Sequence, residues 1–446
     1  MNIHFIAIGG SVMHSLALAL VENGHSISGS DDHIYDPAKG KLAAAGILPE
    51  LEGWHPDRIH DKLDAVILGM HAFTDNPELA RARELNIPVY SFPEFIYEQS
   101  RNKQRIVIAG SYGKSTVTSM VMHVLHALER KFDYLVGAAV AGFSNSVRIS
   151  DDAPIILIEG DEYFASRIDQ RPKFLLYQAH ICLINGIAWD HINVFPSEEG
   201  YVEQFADLIK SLGKAADIIV NEDDDRLMKL VKTYEKPDTH YVHPFSCPSY
   251  RVKDGVFQVK IDGERTDVTV FGKHNMSNIA AAWEICQLLA VSPEEFRKHI
   301  ATFKGAGIRL QTLRNEPGHV VIRDYAHAPE KVLASVHATR EKYPKAKLLA
   351  CFELHTFSSL NPDFLPRYKG ALNQADEMIV FVDKDVWERR RMEPLTEPTI
   401  RAAFANKKLR FLSSREELQT TIADLKPEVL LMMSSGSFSE LDLGSL

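Results

Sequence analysis

Short apolar runs alternate along this chain with stretches whose apolar residues recur at helical spacing. Residues 2–8, 26–30, 65–68 and 87–90 read as strands, with helices over 12–22 and 77–85 between them. That start predicts a doubly wound unit. A second set of runs covers 106–109, 153–158, 180–184 and 218–221, with helical spacing over 117–128 and 201–214. Such short apolar runs suit parallel strands buried under helices on both faces. Residues 250–269 differ, because alternation and turn signals at Asp254-Gly255 and Asp262-Gly263 predict short β-hairpins. An alanine-rich helix through 289 and another over 293–303 follow. Four further strands, 320–322, 348–352, 377–381 and 429–433, are separated by helical segments and predict a last α/β layer. Polar or glycine-rich stretches at 100–104 and 304–307 punctuate the series, so three domains are expected at 1–101, 102–304 and 305–446.

Composition narrows the class. At 446 residues the chain is too long for a single core, and its 45% apolar and 25% charged residues are ordinary for a globular protein. A net charge of −10, with no run of five or more basic residues, argues against a nucleic-acid surface. Cys182, Cys247, Cys286 and Cys351 are too scattered for a zinc site or a disulfide framework. No apolar stretch reaches spanning length and no secretory leader is evident, so a cytoplasmic protein without membrane association is expected.

The most informative chemistry lies where the run 106–109 ends. Gly110-Ser111-Tyr112-Gly113-Lys114-Ser115-Thr116 joins a strand to a helix. Glycines let backbone N–H groups approach an anion, the helix start adds its dipole, Lys114 neutralises phosphate oxygens and Ser115 can ligate Mg²⁺. Two residues separate the glycines, against four in the general phosphate-loop pattern, so a plain strand–helix turn stays open as a reading. Glu159-Gly160-Asp161-Glu162-Tyr163 and Asp190-His191 each follow an apolar run, where carboxylate and imidazole groups can serve a metal near bound phosphates. Gly9, Gly10 and Ser11 after the first strand make a weak dinucleotide-type turn, with Ser30 and Asp31 ending the second strand. Asn275 or Ser277 could equally cap the helix they open.

Taken together, these stretches resemble the ATP-dependent Mur ligases of peptidoglycan metabolism over essentially the whole chain. The glycine–lysine turn at 110–116 is similar to that family's short-spaced cradle, and the acidic turn at 159–163 and Asp190-His191 resemble its metal motifs. Gly272-Lys273-His274-Asn275-Met276-Ser277-Asn278, Arg309 and Asp324-Tyr325-Ala326-His327-Ala328-Pro329 resemble three more signatures in the same order. The resemblance implies a Rossmann-like UDP-sugar domain, a central P-loop ATP domain and a Rossmann-like C-terminal domain. It further implies that Gly110, Ser111, Gly113, Lys114, Ser115 and Thr116 hold ATP phosphates, with Mg²⁺ on Ser115, Glu159 and His191 and with Asp190 orienting the histidine. His274, Asn275 and Asn278 would face adenine. Arg309 and Asp324 would reach γ-phosphate and ribose. Tyr325 and His327 would lie near the amine, and Gly9, Gly10, Ser11, Ser30 and Asp31 would hold the UDP-sugar. Catalysis would rest on Lys114, His191, Arg309 and His327.

The expected reaction joins UDP-N-acetylmuramate to an amine. The stretches 29–37, 159–163 and 432–438 look closer to the tripeptide-adding members, so L-alanyl-γ-D-glutamyl-meso-diaminopimelate is the expected amine and L-alanine the alternative. Tyr112, Gly186, Ala188 and Ala328 depart from the family's usual residues.

Overall fold

The computed structural model describes residues 1–70, 72–190, 192 and 194–446. Its contacts divide the chain into two compact units, Met1–Ile187 with Val202–Phe245, and Ala188–Tyr201 with Ser246–Leu446.

The first unit contains two sheets. Strands β1 (Asn2–Ile6), β2 (Ser26–Ser30), β3 (Ala65–Leu68) and β4 (Val89–Ser91) form a parallel sheet of order β2-β1-β3-β4. The first strand is shorter than its apolar run because Ala7 turns to a positive φ of 69°. The second sheet holds β5 (Gln104–Ala109), β6 (Asp133–Leu135), β7 (Val147–Arg148), β8 (Ile155–Glu159), β9 (Ile181–Ile184), β10 (Ala216–Asn221) and β11 (His240–Phe245), in the order β11-β10-β9-β5-β8-β6-β7. All its pairs are parallel except β6 with β7. Ile106, Val107, Ile108 and Ala109 of β5 are fully buried. Because β5 lies between β8 and β9, its carboxyl end opens into the crevice where an α/β sheet takes its ligand.

Arg105 ties the polar linker to this sheet. Its guanidinium donates to the carbonyls of Ser100 at 2.8 Å and Tyr177 at 2.9 Å, satisfying backbone groups that the turn leaves unpaired. Lys103 beside it pairs with the fully buried Asp133 carboxylate.

The second unit begins with a three-stranded antiparallel sheet of β12 (Tyr250–Lys253), β13 (Val256–Ile261) and β14 (Glu264–Val268). Its two hairpin turns are the expected ones, with φ of 52° and 76° at Asp254 and Gly255 and of 46° and 84° at Asp262 and Gly263. Paired positive φ values match the right-handed twist of the flanking strands. Helices Lys273–Leu288 and Pro293–Ile300 follow. The last sheet comprises β15 (Gln311–Glu316), β16 (His319–Asp324), β17 (Leu348–Glu353), β18 (Glu377–Phe381), β19 (Arg410–Leu412) and β20 (Val429–Met433), in the order β15-β16-β20-β17-β18-β19. Only β15 runs antiparallel to its neighbour.

The sheets keep to the stretches 1–101, 102–304 and 305–446, while the compact units are cut elsewhere and assign 188–201 to the second. Among the described residues no helix is long and apolar enough to cross a membrane.

Candidate functional site

In the first unit, β5 hands over to the helix Lys114–Ala127 through a turn that only glycine permits at two places. Gly110 has φ of 122°, and a side chain on it would lie 2.9 Å from the Asn185 nitrogen. Gly113 precedes the helix with φ of 78°. Ser111 is buried and its N–H donates to the Gly186 carbonyl at 2.9 Å, so the segment after β9 braces the turn. Asn185 adds a hydrogen bond from Nδ2 to the Tyr112 carbonyl at 3.1 Å. Thr116 is buried in the first helical turn.

Register brings the acidic turn alongside. Ile108 pairs with Glu159 across β5 and β8, which puts the end of β8 level with the start of the turn. Each acid then takes its own partner. Glu159 accepts from the Ser115 hydroxyl at 2.8 Å and from the Gly137 N–H at 2.6 Å. Asp161 pairs with Lys173 at 2.6 Å. Glu162, fully buried, pairs with Lys114 at 2.8 Å, and the same ammonium donates to the Gly110 carbonyl at 2.6 Å. Burial alone would lower the Lys114 ammonium, but the carboxylates of Glu162, Asp161 and Glu159 outweigh it and hold the lysine above its ordinary value. It therefore presents a fixed positive charge at neutral pH. The hydroxyl of Ser115 beside the Glu159 carboxylate is an all-oxygen donor pair that fits a hard divalent cation. His191 lies outside the described residues.

Tyr112 and Gly186, two of the departures noted above, meet here. A side chain on Gly186 would fall 2.2 Å from the Tyr112 hydroxyl oxygen, so the tyrosine ring occupies the space that a larger residue at 186 would need.

The glycine turn of the first sheet is also in this unit. Gly9 donates its N–H to Asp31 at 2.7 Å, and Ser11, exposed, opens the helix Ser11–Glu22 after Gly10. Burial, reinforced by Asp32, pushes the Asp31 carboxyl up to about 6. Ser30 points the other way: it is fully buried, donates to Glu78 at 2.6 Å and accepts from Arg58 at 2.9 Å. Alternation along β2 explains this, since neighbouring residues of one strand face opposite sides.

The second unit gathers the remaining expected residues. Gly272, with φ of 87°, precedes the helix Lys273–Leu288, and a side chain there would lie 2.3 Å from Ala338. Asn275 donates to the Phe271 carbonyl at 2.9 Å and accepts from Asn278 at 3.4 Å, and the helix start after Gly272 carries no side-chain cap, from Asn275 or from Ser277. Burial lowers His274, with Asp324 acting in the opposite sense. Asp324 accepts from the N–H groups of Leu310 at 3.0 Å and Tyr325 at 2.9 Å and from the Ser335 hydroxyl. Its carboxylate thus pins the Arg309 turn to the end of β16. The Arg309 guanidinium lies 4.7 Å from the centre of the Tyr325 ring, and His327 meets that ring edge-on at 5.3 Å. Ala328 is the buried residue preceding the helix Pro329–Lys342.

Three partners escaped the sequence reading. Glu162 stood inside a quoted motif with no role given. Lys331 holds the buried Asp190 carboxylate at 2.8 Å, and Arg367 stacks over Trp189 at 4.7 Å. A charged residue two places after Pro329 was the available signal for Lys331. Among the described residues no cluster of three or more His, Cys, Asp or Glu side chains forms a metal site.

A glycine turn at a sheet crevice, a carboxylate-buffered lysine and a serine–glutamate pair define a phosphate-handling α/β protein. Comparison with known proteins makes this specific. The Mur ligase middle domain matches residues 108–286 and the Mur ligase catalytic domain matches 2–104. The UDP-N-acetylmuramate–L-alanine ligase of Lactobacillus acidophilus is 31% identical over 86% of this chain and 83% of its own length. Among solved structures, the UDP-N-acetylmuramate–alanine ligase of Thermotoga maritima matches with a TM-score of 0.73 at 20% identity, covering 100% of this chain and 97% of that one. The UDP-N-acetylmuramate:L-alanyl-γ-D-glutamyl-meso-diaminopimelate ligase of Neisseria meningitides matches with a TM-score of 0.61 at 26% identity, covering 68% and 98%. The chain belongs to the Mur ligase family. It is accordingly an ATP-dependent, ADP-forming ligase that makes a C–N bond.

Proposed function

We propose that this ligase joins the lactyl carboxylate of UDP-N-acetylmuramate to the amine of L-alanine. The observation that carries the reading is the pairing of Lys114 and Ser115 with the carboxylates after β8, in a chain whose 31%-identical relative is a UDP-N-acetylmuramate–L-alanine ligase. That relative favours L-alanine over the tripeptide expected from the motifs. A second reading keeps the tripeptide as the amine, on the strength of the 26% identity to a tripeptide ligase and of the stretches 29–37 and 432–438.

The chemistry follows from charge. A substrate carboxylate meets the terminal phosphate of ATP, and two anions approach one another; Lys114 offsets their repulsion from a position fixed by the turn. The carboxylate oxygen bonds to phosphorus as the bond to ADP breaks, leaving an acyl phosphate. The amine nitrogen then attacks the acyl carbon, inorganic phosphate departs and the nitrogen gives up a proton. Ser115 and Glu159 would hold Mg²⁺, which when bound supplies further neutralisation of phosphate charge, with His191 a candidate for a second ion. Backbone N–H groups of 112–116 cradle the phosphates, with Gly110 and Ser111 shaping the turn; His274, Asn275 and Asn278 line the adenine side, and Arg309 and Asp324 serve γ-phosphate and ribose. Gly9, Gly10, Ser11 and Asp31 hold the UDP-sugar, and Tyr325 and His327 approach the amine.

Phosphate release with UDP-N-acetylmuramate, ATP and either L-alanine or the tripeptide tests both readings. L-alanine is expected to support turnover, and Lys114→Ala to abolish it with the fold intact. Release with the tripeptide alone would establish the second reading, and release with neither would sink both.

A further inference from the structure

Lys114 faces a problem that its role creates. Its side chain is only 14% exposed, so its ammonium needs partners inside the protein as well. Glu162 is fully buried and its Oε2 lies 2.8 Å from Nζ, while the Gly110 carbonyl takes a second proton at 2.6 Å. Asp161 and Glu159 are engaged elsewhere, on Lys173 and on Ser115 with Gly137, so Glu162 alone of the three acids is bonded to the lysine.

We propose that Glu162 is a positioning residue for Lys114, an internal anion that holds the lysine of the phosphate turn and yields it to a nucleotide phosphate by exchange. This rests on reading the turn as the nucleotide site. A buried carboxylate or ammonium left alone is costly, so the pair stabilises the fold. A phosphate arriving at the same ammonium meets the carboxylate as a like charge, and the pair must part. Two consequences therefore have opposite signs. Removing the carboxylate charge lowers stability and raises nucleotide affinity, whereas a merely structural acid would lower both.

The experiment is titration calorimetry with ADP in EDTA, beside thermal unfolding, on the full chain. Glu162→Gln and Glu162→Ala are expected to bind ADP about tenfold tighter than the native protein while melting at lower temperature. Unchanged or weaker binding in folded variants overturns the proposal. Should both variants fail to fold, Glu162→Asp keeps the charge but withdraws it by one methylene. It is expected to tighten ADP about threefold, and equal or weaker binding overturns the proposal there too. Lys114→Ala separates the two levels of the claim. If the native protein does not bind ADP, or binds it equally well with Lys114→Ala, the nucleotide reading fails and this proposal with it. Binding that Lys114→Ala abolishes and the Glu162 variants leave unchanged counts against Glu162 alone.

Discussion

Tyr112 and Gly186 are intelligible only as a pair. Each departs from the residue usual in the family, and each taken alone looks like a loss. With the tyrosine oxygen 2.2 Å from where a side chain at 186 would start, the missing side chain is the space the ring needs. Gly186→Ala is therefore expected to cost about 1–3 kcal/mol of stability through overpacking beside the phosphate turn. In a Tyr112→Ala background the same change is expected to cost much less, and equal costs in both backgrounds, measured by denaturant unfolding, would refute the pairing. Ser30 carries the complementary lesson. Its place at a strand end beside Asp31 suggested a ligand contact, yet strand alternation turns it inward to Glu78 and Arg58.

At the scale of elements, what was legible depended on how a strand is covered. The runs that became β5, β9, β17 and β20 are apolar throughout because helices cover both their faces, and each was read from sequence at nearly its true bounds. Several other strands were not. β15 is Gln-Thr-Leu-Arg-Asn-Glu with no buried residue, β11 contains Pro244, and β6 and β7 are three and two residues long. Their pairing is supplied by a neighbour that no local pattern names. The site divides in the same way: the glycine turn and the acid after β8 are local signals, whereas the Asp190–Lys331 pair joins groups 141 residues apart. That pair fastens the stretch 188–201 to the helix Pro329–Lys342 within the second unit. Lys331→Met removes the ammonium paired with the buried Asp190 carboxylate and is expected to cost about 1–3 kcal/mol, discounted for the partial exposure of the lysine. In an Asp190→Asn background the cost is expected to fall below about 1 kcal/mol; additive losses in a double-mutant cycle would show that the contact does not stabilise the fold.

For the whole molecule, two compact units imply two cooperative transitions, because each buries its own sheets. Leu431 lies fully buried in β20, the strand between β16 and β17. Leu431→Asp places a charge inside that sheet, and it is expected to abolish the calorimetric transition of the second unit and preserve that of the first. A single transition lost or kept as a whole would mean that the units do not unfold separately.

The position of β20 also bears on how the chain is made. During synthesis β16 and β17 emerge well before the strand that separates them, and neither can pair with the other in the native order. Two apolar strands must wait, each with an open edge, until residue 433 has been added. The wait is shorter around the phosphate turn, since β5, β8 and β9 are all complete by residue 184. The nascent chain therefore holds an assembled phosphate turn while its last sheet is still in two parts, and it is over that interval that a chaperone would be most needed.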